Sequence, residues 1–217
     1  PKWQPKSIDN KHLNESKLST VWKNPLFKSL VPMGFFSYGG LFAIQTLWAG
    51  PWMIRVSGYT PEESAQGLFI IYLCMLISFL VWGYFVPKFS KNVNDAIRLL
   101  KIGAPLSLCI LMLIIYLGPK AGSIHWALFI VSSIFLSLTQ PAVGMAFSLS
   151  NAGKALTSFN LLIFIGAFFI QWIIGLIIDA GIVFNLSEID SFKVAMTFVL
   201  ITSLLSYLFF LRKVKIN

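Results

Sequence analysis

Long apolar runs separated by short polar punctuation dominate the chain. Six of them, at roughly 30–53, 66–86, 102–118, 124–149, 157–180 and 192–211, approach or exceed the span of a membrane helix, which takes about 20 residues. Turn and breaker residues stand between them: Gly58, Pro87, Gly118-Pro119, Gly153 and Gly181. A membrane β-strand would be about ten residues long and would alternate apolar with polar positions. The runs do neither. Helices satisfy their own backbone hydrogen bonds in lipid, so six transmembrane helices are predicted.

Composition agrees. The sequence is 57% hydrophobic and 12% charged, with mean hydropathy +0.78, whereas a soluble domain carries about a quarter charged residues. The formal net charge of +9 would suggest a nucleic-acid surface in a soluble protein. Here the bases cluster in the connections, so no nucleic-acid partner is expected. A basic leader over 1–29 carries Lys2, Lys6, Lys11, Lys17, Lys23 and Lys28. Lys88, Lys91, Arg98 and Lys101 follow the second run, Lys154 follows the fourth, and Arg212, Lys213 and Lys215 lie in the tail over 212–217. The other connections hold Arg55, Lys120 and Lys193 beside Glu62, Glu63, Glu188 and Asp190. The positive-inside rule then puts both termini in the cytoplasm. The first apolar run begins near Leu30, behind a polar lead, so no cleavable signal peptide is expected. Pro1 in place of Met is the start expected of a fragment.

Amides are costly in hydrocarbon, so their positions show which helix faces avoid lipid. Tyr38, Leu41, Gln45, Trp48 and Trp52 follow steps of three and four and predict one face of the first helix. Ser133, Ser137, Gln140, Gly144 and Ser148 make a stripe on the fourth, and Asn160, Phe164, Ala167, Gln171 and Gly175 one on the fifth. The third and sixth runs have hydroxyls such as Ser107, Thr197, Thr202 and Ser206 but no amide, and the second has Gln66 at its start and little polarity beyond. A single amide can serve as glue between helices. Three striped helices beside two without amides point instead to a shared polar cavity.

Gly34, Gly39, Gly40, Ala43 and Gly50 in the first helix, with Gly166 and Gly175 in the fifth, predict close backbone approach and bending. Pro51 and Pro141 interrupt the first and fourth helices at comparable depths, as in the moving helices of transporters built from repeats. The endings "WGYFVP" and "IIGLIID" of the second and fifth runs form a weak internal echo, which suggests two inverted three-helix repeats.

The stretch "VWKNPLFKSLVPMGFFSYGGLFAIQTLWAGPWM" resembles the central loop and seventh helix of bacterial major facilitator superfamily permeases, and "GKALTSFNLLIFIGAFFIQWIIGLIIDAG" resembles their eleventh helix and the loop before it. The resemblance runs over essentially the whole chain. It implies an all-α integral membrane fold, the C-terminal six-helix half of a twelve-helix carrier in a bacterial inner membrane. Helices seven, eight, ten and eleven would line the cavity, with nine and twelve outside. Tyr38, Gln45, Trp48, Trp52, Gln140, Asn160 and Gln171 become the substrate-cavity candidates. Gly83, Lys88 and Lys91 become candidates for gating, although Pro87 stands where the family carries an acid.

Enzyme chemistry finds no support. The sequence has no G-x-x-x-x-G-K-[ST] and no H-E-x-x-H. His12 and His125 lie in the leader and at a helix start, and Cys74 and Cys109 read as reduced apolar residues rather than metal ligands. Asp179, at the outer end of its helix, has no second acid for intramembrane proteolysis. No cofactor or metal is expected. The leading expectation is secondary active or facilitative transport of a small solute by alternating access. Its cavity suits a neutral, amphiphilic or aromatic solute, or one whose charge the other half recognises. A coupling acid or base would lie in the N-terminal half, or the carrier is uncoupled, and the expected partners besides solute and lipid bilayer are an N-terminal six-helix half, covalent or separate, or a second copy. The alternative is a non-transporting membrane module, either a partner subunit or a degenerate remnant of a transporter. An upstream reading frame for six more helices would favour the carrier.

Overall fold

A computed structural model describes residues 18–214. The leader bases Lys2, Lys6, Lys11 and Lys17, together with His12 and the tail residue Lys215, lie outside the described residues. A short helix, Leu18–Lys23, precedes six long ones: α1 (Pro25–Arg55), α2 (Pro61–Phe89), α3 (Val93–Lys120), α4 (Ser123–Met145), α5 (Leu149–Val183) and α6 (Glu188–Lys213). All six are long and apolar enough to cross a membrane, and the described residues contain no strand. The expected fold class is the one found.

The helices run further than the apolar runs predict, because their ends are set by capping rather than by hydropathy. Asn24 Oδ1 accepts from the N–H groups of Leu26 and Phe27, so α1 starts at Pro25, inside the expected leader. Thr60 and Glu63 form a reciprocal capping box that starts α2 at Pro61 rather than near residue 66. Asn92 accepts from Asp95 N–H and starts α3 nine residues before the expected 102, so its first turns carry Asn94, Arg98 and Lys101. Proline at the first helical position sacrifices no hydrogen bond, since that N–H has no intrahelical partner.

The six helices form two layers. In the front row the order is α2, α4, α1, α5, and behind it α3 packs on α4 while α6 packs on α1. The pairing is nearly symmetric. α1 packs on α5 and α6 as α4 packs on α2 and α3, and α1 meets α2 as α4 meets α5. That is the pattern of two three-helix repeats with the α3–α6 contact at their junction. One pair breaks it: α5 packs closely on α6, but α2 has no comparable contact with α3. Accordingly α2 is the least covered helix, with Phe69, Leu76, Ile77, Leu80 and Tyr84 all exposed.

Lipid tails are as apolar as leucine, so helices associate in a bilayer through close packing and polar contacts. Both occur here. A Cβ on Gly39 would lie 2.8 Å from Gly166 C, and one on Gly166 would lie 2.3 Å from Phe35 O, so α1 and α5 cross backbone against backbone. Behind α1, Ser37 and Ser206 share a hydrogen bond of 2.8 Å, and Ser203 Oγ donates to Phe36 O. Of the hydroxyls expected on the peripheral helices, Ser206 therefore binds α6 to α1, while Ser107, Thr197 and Thr202 bond back to their own helices.

Candidate functional site

The backbone of α1 decides what its polar residues touch. Two stretches, Met33–Tyr38 and Ile44–Trp48, are π-helical. Gly39 N–H donates to Gly34 O and Ala49 N–H to Ile44 O, five residues back instead of four. Such turns take in one extra residue and are frequent at functional sites. They also break the register that put Tyr38, Leu41, Gln45, Trp48 and Trp52 on one face.

Tyr38, Leu41 and Gln45 keep together. They line a pocket of about 100 Å³ with Met75 and Phe79 of α2 and Ser133 and Ser137 of α4. These positions fall near mid-span on all three helices. Phe42, Ile130 and Ile134 complete the apolar wall. Part of α4's wall is a tight 3-10 segment, Ser133–Leu138, just before Pro141.

Past the second π turn the face rotates away from this pocket. Trp48 turns towards α5, where its Nε1–H donates to Gln171 O at 3.2 Å and its ring packs beside Gly175. Trp52 corrects the expected stripe. It is fully buried, edge-on to Trp126 and Phe192, with its Nε1–H on Ala121 O at 3.3 Å. It packs the core and does not line the pocket of Tyr38 and Gln45.

The remaining amides hold the front row together. Gln140 Nε2 donates to Asn160 Oδ1 at 2.7 Å, joining α4 to α5. Gln171 Nε2 donates to Thr46 Oγ1 at 2.8 Å, joining α5 to α1. Gln45 differs. Its backbone carbonyl accepts from Tyr72 O–H at 2.6 Å, but among the described residues its side-chain amide has no hydrogen-bond partner, although the residue is only 8% exposed. The Tyr38 hydroxyl is likewise without a partner, on a residue 6% exposed. Its ring stacks on Phe42, with centroids 5.3 Å apart. No Asp, Glu, Lys, Arg or His lines the pocket.

The gating candidates lie elsewhere. Lys88 sits on the last turn of α2, its Nζ 3.7 Å from the centroid of the Tyr84 ring. Lys91 stands in the tight turn before α3, where its N–H donates to Asp95 Oδ2. Nothing lies within 4 Å of the space a Cβ on Gly83 would take. The described residues contain no group of His, Cys, Asp and Glu able to hold a metal ion.

No protein-family model and no curated protein matches the chain. Among solved structures it is similar to a bacterial homolog of the human lysosomal transporter Spinster, captured inward-facing and unoccupied. The TM-score is 0.60 at 12% sequence identity, and the match covers 98% of this chain but 53% of that one. This is the fold of half a transporter. The chain thus spans about half the length of the transporter it matches, and the six helices make up a multi-pass membrane protein.

In and beside the pocket are residues that reading for polarity passes over. Tyr72, Met75, Phe79 and Trp82 of α2 recur at steps of three, four and three, which is one helix face. Tyr72 fixes the Gln45 carbonyl, Met75 and Phe79 form the wall, and Trp82 Nε1–H donates to Ser137 Oγ at 3.2 Å. Periodicity of aromatic and thioether side chains was the available signal.

Proposed function

We propose that the protein is the C-terminal half of a major facilitator type carrier, moving a small solute across a bacterial inner membrane by alternating access. The observation that carries this reading is the mid-span pocket between α1, α2 and α4, where Tyr38 and Gln45 hold polar groups unpartnered among the described residues, in a mostly apolar wall. Both residues are buried in the bundle while their polar ends face the pocket, so a solute or water meets them there. The similarity to half a transporter supports the same reading. In this proposal a second six-helix bundle, covalent or separate, covers the front row. Gln140, Asn160, Gln171 and Trp48 then border the solute path while they brace the helices. Both termini face the cytoplasm, as the basic connections favour. The Asp, Glu, Lys, Arg and His side chains among the described residues sit towards the helix ends, so any coupling carboxylate or base belongs to the other bundle.

The test is access from both sides. Gln45→Cys, made in a chain carrying Cys74→Ala and Cys109→Ala and co-expressed with its second bundle, should react with a membrane-impermeant thiol reagent from either face of the membrane. Reaction from one face alone, under all conditions of substrate and ion gradient, would remove alternating access from the reading.

A further inference from the structure

We infer that the pocket between α1, α2 and α4 selects a compact uncharged group, an apolar body bearing one polar function that both donates and accepts hydrogen bonds. The inference rests on the transport reading and adds the chemical class of the solute.

Size comes first. An enclosed apolar cavity of about 150 Å³ holds the six carbons of benzene, so the pocket of about 100 Å³ suits an apolar body of roughly four heavy atoms with its polar end against Tyr38 and Gln45. Leu41, Phe42, Met75, Phe79 and Ile134 would surround such a body on most sides. Its polar end then has two hosts. The Gln45 amide offers N–H donors and a carbonyl acceptor, and the Tyr38 hydroxyl offers one donor and two lone pairs. Both residues are more than nine-tenths buried and neither polar end is used within the described chain. By contrast Ser133 and Ser137 already donate, to Phe129 O and Ile134 O.

Charge is excluded by the same surroundings. An ion entering this wall would leave water without meeting a counter-charge, since no Asp, Glu, Lys, Arg or His lines the pocket, and an unpaired buried ion carries a penalty far above that of a hydrogen-bonded neutral group. A primary amide or an alcohol on a small branched alkyl frame fits what remains.

Three probes that share one branched alkyl frame separate the possibilities: isobutyramide, isobutyrate and isobutylammonium. The full chain, with methyl-labelled methionine and in lipid nanodiscs, is titrated with each, and the Met75 methyl resonance is followed by NMR after assignment through Met75→Leu. Isobutyramide should shift that resonance saturably, with the charged probes weaker by at least about tenfold. Gln45→Leu should weaken the amide about two- to tenfold, the loss of one neutral hydrogen bond. Gln45→Glu keeps the shape of the side chain and should turn the preference towards isobutylammonium, which separates recognition from misfolding. No saturable shift with any probe, or equal binding of all three, overturns the inference. Neutral-selective binding in a protein that fails the two-sided access test would sink the carrier reading and leave the pocket's selectivity standing. Two-sided access with a charged probe preferred would do the reverse.

Discussion

Gly39 and Gly166 meet where α1 crosses α5, and neither has room for a methyl group: a Cβ on Gly39 would lie 2.8 Å from the Gly166 carbonyl carbon. The obstructing atoms are backbone, which cannot swing aside as a side chain can. Overpacking of this kind costs about 1–3 kcal/mol, occasionally more. Gly39→Ala and Gly166→Ala should each lower the thermal midpoint and the yield of folded protein in detergent. Gly83 is the control, because nothing lies within 4 Å of its missing Cβ. Gly83→Ala should be neutral or stabilising by up to about 1 kcal/mol, the gain in helix propensity. If all three variants unfold alike, the crossing does not hold α1 to α5.

Hydropathy shows how many helices exist but not where they end. Pro61, Glu62 and Glu63 look like a loop on any apolar scale, yet with Thr60 they build the cap that starts α2. The same blindness assigns Arg98 and Lys101 to a loop when they belong to α3. The striped amides do occupy helices of the front row, and α3 and α6 do lie behind it. The step-of-three-and-four stripe of α1 breaks at Ile44–Trp48 because a π turn changes the angle per residue, and no residue type announces such a turn. Pairing is also illegible. Gln140 and Gln45 look equivalent in sequence, but Asn160 bonds the amide of the first and, among the described residues, nothing bonds the side-chain amide of the second.

Topology can be read from the exposed ends. Cysteines replacing Lys91 and Lys154, both at the basic end of the bundle, should react with an impermeant reagent from the cytoplasmic side alone. Cysteines replacing Glu62 and Glu188, exposed at the opposite end, should react from outside. Ser64 and Ser90 are poor sites for this purpose, since Ser64 is 3% exposed and the Ser90 hydroxyl is buried. Labelling of the Glu62 and Lys91 positions from the same side would mean that α2 does not span.

The amides should divide into two classes by stability. Gln140→Ala and Asn160→Ala each break the 2.7 Å bond between α4 and α5. Each should cost about 0.5–1.5 kcal/mol, and the double variant should cost little more than either single one, because both remove the same contact. Gln45→Leu removes an amide with no partner among the described residues, so thermal stability should hold or rise while solute recognition falls. Measuring thermal midpoints and solute binding on the same samples separates the two classes. A loss of stability at Gln45 as large as that at Gln140 would mean that its amide is a structural contact.

The π turn at Ile44–Trp48 makes a further demand on α1. Because it carries one residue more than an α-turn, removing one residue there should restore regular helix without rotating the C-terminal part of α1. Leu47 is the residue to remove, being 48% exposed. With Leu47 deleted, Trp52 should still reach Ala121 O and pack on Trp126, since the helix beyond the turn keeps its facing. Deleting Ile165, equally exposed at 48% but set in the regular helix α5, should instead rotate Gln171 and Ile174 out of place and prevent folding. The readouts are folded yield and the tryptophan emission of the buried cluster, with Trp52→Phe and Trp126→Phe assigning the signal. The Leu47 deletion should fold yet lose affinity in the pocket, because the Gln45 carbonyl held by Tyr72 would return to the helix's own hydrogen bonding. If the Leu47 deletion misfolds as completely as the Ile165 deletion, the extra residue is structural, and the turn is no removable insertion beside the pocket.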